Sequence, residues 1–146
     1  MEKFVDVILP LPLHACFTYS LPEDMAESVQ IGCRVVVPFG RKKYYTAIVQ
    51  NIHYSAPAGY EVKEVSALLD AHPILLSEQF RFWDWLADYY LCTRGDVYKA
   101  ALPSGLKLES ETIVEYNPDF ESDVQLPEKE QKILDLLAAE PEQCIT

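Results

Sequence analysis

The sequence predicts an α+β fold, in which a small antiparallel, barrel-like (OB-like) sheet comes first and helices follow it. Two observations predict this order. Between residues 4 and 69, about five short β-type segments are separated by proline and glycine. Beyond residue 77, apolar residues recur every three or four positions, which is typical of helices. The 146 residues, 49% of them hydrophobic, suffice for one packed domain and part of a second.

The first two predicted strands flank a proline-rich connection. Phe4–Leu9 alternates apolar and polar residues, and the Pro-Leu-Pro that follows ends the strand. Cys16–Ser20 places Phe17 and Tyr19 on one face and Thr18 on the other. On this pattern alone, the two rings are core residues rather than a stacking surface.

The stretch Gly32–Lys43 predicts a strand and the turn of a hairpin. Val35–Pro38 is rich in β-branched residues, Pro38 removes a donor and ends the ladder, and Gly40 suits a turn. The turn carries one run of three basic residues, Arg41, Lys42 and Lys43. Backbone amides beside a glycine, flanked by basic side chains, suit a phosphate oxygen or a chain terminus. The alternative is a hairpin whose charges only keep its turn solvated.

Two more strands are predicted before the helices. Tyr44–His53 is a long segment rich in Tyr, Thr, Ile and Val, and Pro57–Gly59 marks a loop after it. Strand character resumes over Val62–Leu69. Five strands in this arrangement favour a curled sheet or small barrel.

A helix is predicted from Phe80 to Tyr90, with Ser77 as its N-cap, and a shorter helix over Asp96–Ala101. The apolar positions of the first helix form a wide aromatic stripe that consists of Phe82, Trp83, Leu86, Tyr89 and Tyr90. The charged residues on the other side are Arg81, Asp84 and Asp88. Their spacing indicates a solvated face rather than a buried acid/base pair.

The C-terminal part of the chain has a different composition. Residues 109–126 are acidic and predict a linker, with a lone strand at most over Thr112–Tyr116. Pro127 stands at the start of a predicted helix, Glu128–Ala139. We interpret residues 127–146 as the truncated start of a second domain, after a first domain over residues 1–108. The alternative is that this helix packs on the first domain.

The charge is unevenly distributed along the chain. The net charge is −11, but residues 1–108 contain ten basic and twelve acidic residues, whereas residues 109–146 contain two and eleven. The first domain can therefore carry a local basic patch. Such a domain would bind nucleic acid weakly and at one feature, such as a strand end, rather than along a duplex.

The cysteines predict neither a metal site nor disulfides. They form no C-x-x-C pair and have no histidine at zinc-ligand spacing, and they are Cys16, Cys33, Cys92 and Cys144. We expect reduced, mostly buried thiols in a cytoplasmic protein. No segment has the length of a membrane span, and the N-terminus has no signal-peptide pattern.

Four motifs resemble the N-terminal region of the bacterial primosomal replication-restart helicases, the PriA family. Ile8–Leu13 followed by Phe17–Tyr19 is similar to the family's V-x-L-P-x-P-L and F-D-Y. Gly32–Gly40 resembles G-x-R-V-x-V-P-F-G. Trp85–Tyr90 and the later Ala101–Pro103 resemble A-x-Y-Y and A-L-P. The resemblance covers residues 4–108 in the same order.

The resemblance implies a domain that recognises the 3′ end of the nascent leading strand at stalled forks, with forked or single-stranded DNA as partner. The helix after Pro127 resembles the start of the family's winged-helix domain. Full-length members are ATP-dependent helicases, for which ATP, Mg and Zn are implied. The G-x-x-x-x-G-K-[ST] motif and the family's zinc cysteines are absent from these residues. We therefore expect no catalytic residue, cofactor or metal in this part.

The resemblance also implies a pocket for the terminal nucleotide. Its residues are Phe17, Thr18, Tyr19, Gly40 and Lys63. Arg41 is predicted beside them from its charge, because it could help Lys63 to neutralise the last phosphate. Further DNA contacts are expected from Lys42, Lys43, Tyr44 and Tyr45. Many members carry Asp where this chain has Thr18, which replaces a charged acceptor by a neutral hydroxyl. We expect a weaker contact to the 3′-hydroxyl and lower discrimination.

A different class of function is a protein-interaction module. An aromatic domain with an acidic tail could dock single-strand-binding protein or another primosome protein. The two classes differ in salt dependence, because DNA affinity falls steeply with salt and an apolar interface changes little. No spacing of Ser/His/Asp or Cys/His residues indicates catalysis.

Overall fold

A computed structural model describes residues 2–59, 61–108, 117 and 127–139. The chain divides into two compact units, Met1–Ser110 and Glu111–Thr146. Each unit is described by itself.

The first unit is built on a five-stranded antiparallel sheet. Its strands are β1 (Phe4–Ile8), β2 (Phe17–Ser20), β3 (Arg34–Phe39), β4 (Lys43–His53) and β5 (Ala67–Leu68). The order across the sheet is β2-β1-β4-β3-β5. The long strand β4 pairs with β1 on one side and β3 on the other, so it is the centre of the sheet. With the helices that follow, this sheet confirms the predicted α+β class.

The segment before β5 curls the sheet into a barrel-like shape. The Val65 N–H donates to the carbonyl of Ser20 at the end of β2, with an N–O distance of 3.0 Å. The next residue, Ser66, donates its N–H to the carbonyl of Val36 in β3 at 2.8 Å. One short segment therefore joins β2, at one edge of the sheet, to β3 near the other edge.

The prediction of a strand over Val62–Leu69 was too long. The part of this range before β5 forms one isolated parallel bridge, between Glu64 and Ser20. A segment that changes from one neighbouring strand to another cannot continue a regular ladder with either. Only the two residues of β5 therefore pair as a strand.

The prediction that Pro38 ends its strand was also wrong, since β3 continues to Phe39. The carbonyls of Arg34 and Val36 accept hydrogen bonds on the β5 side, and Pro38 lies two residues further with the same orientation. Within the described residues, no strand pairs with β3 on that side at Pro38. The missing proline N–H therefore breaks no ladder bond.

Alternate residues of the strands fill the barrel interior. The buried strand residues of this core are Val5, Val7, Tyr19, Val35, Val37, Ala47 and Val49. Each buried valine is worth about 1.5–3 kcal/mol relative to an exposed one. The period-two pattern of the sequence therefore identifies the inner face of the sheet.

Two helices, α1 (Ser77–Tyr90) and α2 (Arg94–Ala101), pack on the outer face of β1 and β4. A short 3₁₀ turn, Ser104–Leu106, follows them. The ring of Tyr98 stacks on Trp83 with centroids 5.9 Å apart, and its hydroxyl donates to the carbonyl of Thr46 at 2.8 Å. Tyr98 thus joins both helices to the barrel.

The aromatic stripe predicted for α1 is only partly buried. Trp83 and Ala87 are buried and Leu86 is half-buried, but Phe82, Tyr89 and Tyr90 are exposed. Apolar residues occur around most of this helix, and a single narrow face contacts the barrel.

The residue that precedes α1 is Leu76, so Ser77 is the first helical residue rather than the N-cap. The side chain of Gln79 accepts a hydrogen bond from the Leu76 N–H at 2.8 Å. Here a side chain inside the helix accepts from the backbone N–H that precedes the helix. In the predicted cap, the Ser77 side chain would accept from a backbone N–H inside the helix.

The start of α2 is capped and closely packed. Thr93 accepts from the Asp96 N–H at 3.1 Å, and Asp96 accepts from the Thr93 N–H at 3.0 Å. Gly95 lies against the chain that follows β1, where an added Cβ would be 1.8 Å from the Leu11 carbonyl oxygen. A side chain at this position would therefore force the two segments apart.

The second unit contains a helix at the predicted position, α3 (Glu128–Ala139). The predicted strand Thr112–Tyr116 and, apart from Asn117, the predicted linker lie outside the described residues. Cys16, Cys33 and Cys92 are free thiols, but only Cys33 is fully buried. Among the described residues, no helix has the length and apolar character to cross a membrane.

Candidate nucleic-acid interface

A small hollow of about 190 Å³ lies between β2, the β3–β4 turn and the segment before Val65. Its lining residues are Phe17, Thr18, Tyr19, Pro38, Phe39, Gly40, Glu61 and Lys63. The structure thus brings together five of the six residues that are predicted from the sequence for the terminal-nucleotide pocket. Arg41 does not line the hollow.

Aromatic rings form one wall of the hollow. Phe17 is half-buried and meets Phe39 edge to face, with ring centroids 5.1 Å apart. Tyr19 is 4% exposed, and its hydroxyl donates to the carbonyl of Pro38 at 3.1 Å. Tyr19 is thus held in the barrel core, whereas Phe17 retains accessible surface. Phe17 is the ring better placed to contact a ligand.

Gly40 and Lys63 form the opposite wall. Gly40 has a positive φ of 70°, and apart from its two chain neighbours no atom of the described residues lies within 4 Å of the position of an added Cβ. The ammonium of Lys63 donates to the Gly40 carbonyl at 2.6 Å. Because an ammonium has three N–H donors, this bond holds Lys63 in place and leaves it able to contact an anion.

Thr18, which lines the hollow, also belongs to a cluster of polar side chains from β1, β2 and β4. Its hydroxyl donates to Asp6 Oδ1 at 2.7 Å. Asn51 donates to Asp6 Oδ2 at 3.2 Å, and His53 Nε2 lies 3.2 Å from Asp6 Oδ1. Partial burial raises the pKa of Asp6, but the hydrogen bonds from these three side chains together lower that pKa below its usual value. Asp6 is therefore a carboxylate at neutral pH.

The remaining residues of the predicted interface lie around the β3–β4 turn. Arg41 and Lys42 are exposed at its tip, and Lys43 begins β4. Tyr45 faces the core, where its ring meets Phe39 edge to face with centroids 6.1 Å apart. Tyr44, in contrast, is 46% exposed. The basic turn is adjacent to the hollow through Gly40 but separate from its lining.

Three residues that line the hollow were not predicted from the sequence, namely Pro38, Phe39 and Glu61. Phe39 continues the alternation of the buried Val35 and Val37, so the period-two pattern could have identified it. Pro38 was assigned only to ending the strand. Glu61 reaches the hollow because the chain returns to the barrel after β4, for which the sequence has no local signal.

A larger hollow of about 420 Å³ lies between the end of β1 and the two helices. It contains an ion pair between Asp84 Oδ1 and Arg94 Nε, 2.5 Å apart. Asp84 is 43% exposed and Arg81 and Asp88 are exposed, as predicted for a solvated helix face, but the sequence did not indicate that α2 places Arg94 beside Asp84. Phe17 lines both hollows.

A continuous aromatic surface covers the outer side of α1. Its exposed residues are Phe82, Trp85, Tyr89, Tyr90 and Leu91. Phe82 stacks on Trp85 with centroids 5.9 Å apart, and Trp85 stacks on Tyr89 at 5.1 Å. Exposed apolar surfaces of this kind often mark interaction sites.

Comparison with known families assigns this part of the chain to a class of DNA-binding domains. Residues 6–103 match the model of the PriA 3′DNA-binding domain (3′BD), and residues 111–146 match a winged helix domain. The chain therefore belongs to the PriA 3′DNA-binding domain family.

Individual relatives agree with this assignment. The chain is similar to the replication restart protein PriA of Haemophilus influenzae, with 40% identity over 110 residues, which are 72% of this chain and 14% of the relative. It is also similar to the replication restart protein PriA of Bacillus subtilis, with 32% identity over 120 residues, which are 81% of this chain and 15% of the relative. The chain thus spans only about one seventh of the length of these relatives.

Proposed function

We propose that this chain recognises the 3′ end of the nascent leading strand at stalled replication forks, as the DNA-binding module of a replication-restart helicase. The proposal rests on the smaller hollow, where Phe17, Gly40 and Lys63 meet in a chain of the 3′DNA-binding domain family. Pockets for drug-sized ligands begin at roughly 300 Å³, so this hollow suits one base or sugar rather than a length of strand.

Each wall of the hollow has a role in the proposed complex. The Phe17 ring stacks on the terminal base, which is worth about 1–3 kcal/mol and does not depend on base identity. Lys63 neutralises the last phosphate, and the open space above Gly40 lets the backbone approach the sugar. A continuing strand carries a further phosphate, which the hollow excludes. Specificity for an end therefore arises from shape.

The basic turn adds affinity without specificity. Arg41, Lys42 and Lys43 lie next to the hollow, where they can neutralise phosphates of the strand that leads into it. Because neutralised phosphates release counterions, each such contact steepens the salt dependence by about 0.7 in the log–log slope for a single strand. Tyr44 is exposed beside these residues and is proposed to stack on a further base.

The test compares short strands of one sequence by fluorescence anisotropy. The first has a free 3′-hydroxyl, the second has a 3′-phosphate, and the third has its 3′ end buried in a stable hairpin so that only the 5′ end is accessible. We expect the first to bind at least about ten-fold more tightly than the others. Equal affinity for the hydroxyl and phosphate strands would exclude end recognition.

Matched charge reversals locate the contact. Lys63→Glu should abolish the preference for the free 3′ end, because it places a negative charge at the mouth of the hollow. Lys42→Glu should lower the affinity for all three DNA strands by a similar factor, because Lys42 lies outside the lining of the hollow. If both variants change the preference equally, the hollow is not the binding site.

The activity of a whole protein containing this chain is also a proposal. By similarity it is an ATP-dependent DNA helicase in the cytoplasm, with ATP, Mg²⁺ and Zn²⁺ bound outside these residues. The 146-residue sequence has no G-x-x-x-x-G-K-[ST] motif. Within the described residues, no group of three or more His, Cys, Asp or Glu side chains could hold a metal ion.

The aromatic surface of α1 favours a second candidate function, the docking of single-strand-binding protein or another primosome protein. Tryptophan and tyrosine are the residues that most often dominate protein interfaces, and Trp85 is 54% exposed at the centre of this surface. Titration with purified single-strand-binding protein at about 50 and 200 mM salt tests this function. Binding that Trp85→Ala removes and salt leaves unchanged would support it, and absence of binding at both concentrations would exclude that partner.

A further inference from the structure

We propose that Asp6 is a positioning residue for end recognition, which orients the Thr18 hydroxyl so that it accepts a hydrogen bond from the 3′-hydroxyl of the bound strand. This inference rests on the proposed function, because it adds a residue to the same site. Asp6 does not line the hollow and acts through Thr18, which does.

The two residues are directly opposite each other in the sheet. Asp6 of β1 pairs with Thr18 of β2 in the antiparallel ladder, which sets their side chains on the same face. The Thr18 Oγ1–Asp6 Oδ1 distance of 2.7 Å is that of a strong hydroxyl–carboxylate hydrogen bond. A carboxylate has no proton, so Thr18 must be the donor.

This assignment determines what Thr18 can offer to a ligand. A threonine hydroxyl has one proton and two lone pairs. With its proton directed to Asp6, the oxygen of Thr18 can only accept. A free 3′-hydroxyl can donate to it, whereas the esterified 3′-oxygen of a continuing strand has no proton. The pair therefore distinguishes an end from an internal nucleotide by hydrogen-bond polarity as well as by shape.

The carboxylate of Asp6 is itself held from a third strand. Asn51 and His53 of β4 contact its two oxygens, each at 3.2 Å. The Asp6 side chain is 25% exposed, so this cluster is partly shielded from water. Asp6 is thus fixed in the rotamer that contacts Thr18, and the chain carries on β1 the carboxylate that many family members are expected to carry on β2.

The experiment measures one ratio, the affinity for a strand ending in a 3′-hydroxyl divided by the affinity for the same strand ending in a 2′,3′-dideoxynucleotide. One neutral hydrogen bond is worth about 0.5–1.5 kcal/mol, so a wild-type ratio of roughly 2 to 13 is expected. Thr18→Val should reduce the ratio to about one. Asp6→Ala should reduce it as well, because the hydroxyl proton can then turn toward the ligand.

Asp24→Ala is the matched control. It removes an exposed carboxylate that neither lines the hollow nor contacts Asp6 or Thr18, so the wild-type ratio should persist. A variant that only destabilises the fold lowers the affinity for both strands by the same factor, so the ratio of the two affinities is unchanged. Thr18→Ser, which keeps the hydroxyl, should retain a ratio well above one.

Two outcomes would overturn the inference. In the first, Asp6→Ala keeps the wild-type ratio while Thr18→Val loses it, which means that Thr18 acts without Asp6. In the second, the wild-type protein rejects a 3′-phosphate but does not distinguish hydroxyl from dideoxy ends. The second result leaves the proposed function intact. Failure of the proposed function itself would appear as equal binding of hydroxyl and 3′-phosphate strands.

Discussion

The orientation of the Thr18 hydroxyl depends on Asp6, the residue opposite it in the sheet. Thr18 donates to the Asp6 carboxylate at 2.7 Å, and hydrogen bonds keep the pKa of Asp6 low despite its partial burial. A carboxylate at position 18 would face a second carboxylate at that distance. The hydroxyl of Thr18 is therefore held by the residue opposite it on β1.

Replacing Thr18 by Asp should destabilise the protein. Like charges directly opposite in an antiparallel pair are unfavourable, and we expect Thr18→Asp to lower the free energy of unfolding by about 1 kcal/mol at pH 7. The exchanged double variant, Asp6→Thr with Thr18→Asp, should recover most of this loss. Urea unfolding of the three proteins measures both effects. A single variant as stable as wild type would show that the two side chains do not meet.

Lys63 is expected to contribute to binding but little to stability. It is exposed, and its hydrogen bond to the Gly40 carbonyl exchanges for one to water in the Lys63→Ala variant. A charge-assisted contact to phosphate is worth about 1.5–3 kcal/mol, so affinity for a 3′-hydroxyl strand should fall at least roughly ten-fold. Anisotropy measures the affinity, and thermal unfolding should give an unchanged midpoint. Unaltered affinity would remove Lys63 from the site.

At the scale of elements, helix packing decides which apolar residues are buried. The pattern of α1 correctly predicts a helix, but its apolar residues occupy more of the circumference than one barrel surface can cover. Trp83 and Ala87 face the barrel, and Trp85 and Tyr89 face outward. The aromatic surface is thus a consequence of which face of α1 packs on the barrel.

The start of α2 requires a glycine for close packing. Alanine normally favours a helix over glycine by about 1 kcal/mol, but a Cβ at Gly95 would lie 1.8 Å from the Leu11 carbonyl oxygen. We expect Gly95→Ala to destabilise the protein by about 1–3 kcal/mol, as overpacking does.

Gly105→Ala provides the control, since no other atom lies within 4 Å of its added Cβ. This exposed substitution should change stability by less than about 0.5 kcal/mol. Chemical denaturation of both variants tests the difference. If Gly95→Ala is neutral, the contact between α2 and the segment after β1 is looser than the described packing.

At the scale of the whole first unit, the Arg34–Asp70 ion pair is linked to the 3₁₀ turn that follows α2. Arg34 donates to Asp70 from its backbone and its guanidinium, and it also donates to the Leu106 carbonyl at 3.0 Å. The Arg34 and Asp70 side chains are only 14% and 9% exposed. Hydrogen bonds from Arg34 lower the pKa of Asp70, and this effect outweighs the opposite effect of burial.

The stability that this pair contributes should depend on pH. Because the pKa of Asp70 is lower in the folded state, the contribution is fully present above the ordinary carboxyl pKa of about 3.9 and is lost as the pH falls through the folded value. At pH 7, Asp70→Asn should cost about 3 kcal/mol, since it leaves a largely buried guanidinium unpaired. The difference between wild type and variant should shrink in acid.

Asp84→Asn is the matched comparison, because the Asp84–Arg94 pair is 43% and 36% exposed and water screens it. Its cost should stay below about 1 kcal/mol. Urea unfolding of the wild type and both variants at pH 7 and pH 3 measures the loss in free energy of unfolding for each variant at each pH. Equal costs for the two variants at pH 7 would contradict the role assigned to burial.

The sequence by itself determined the local conformations and the family. Its period-two and helical spacings place the strands and helices within a few residues, except for the short β5, because local patterns encode backbone geometry and side-chain face. Its family resemblance, rather than these patterns, predicts that Phe17, Gly40 and Lys63 share one site. The tertiary structure alone decided which segments far apart in the chain meet. It places Glu61 in the hollow, pairs Asp84 with Arg94 and sets Asp6 against Thr18, since such contacts depend on how the sheet closes and which helix face packs, and neither has a signal in short-range spacing.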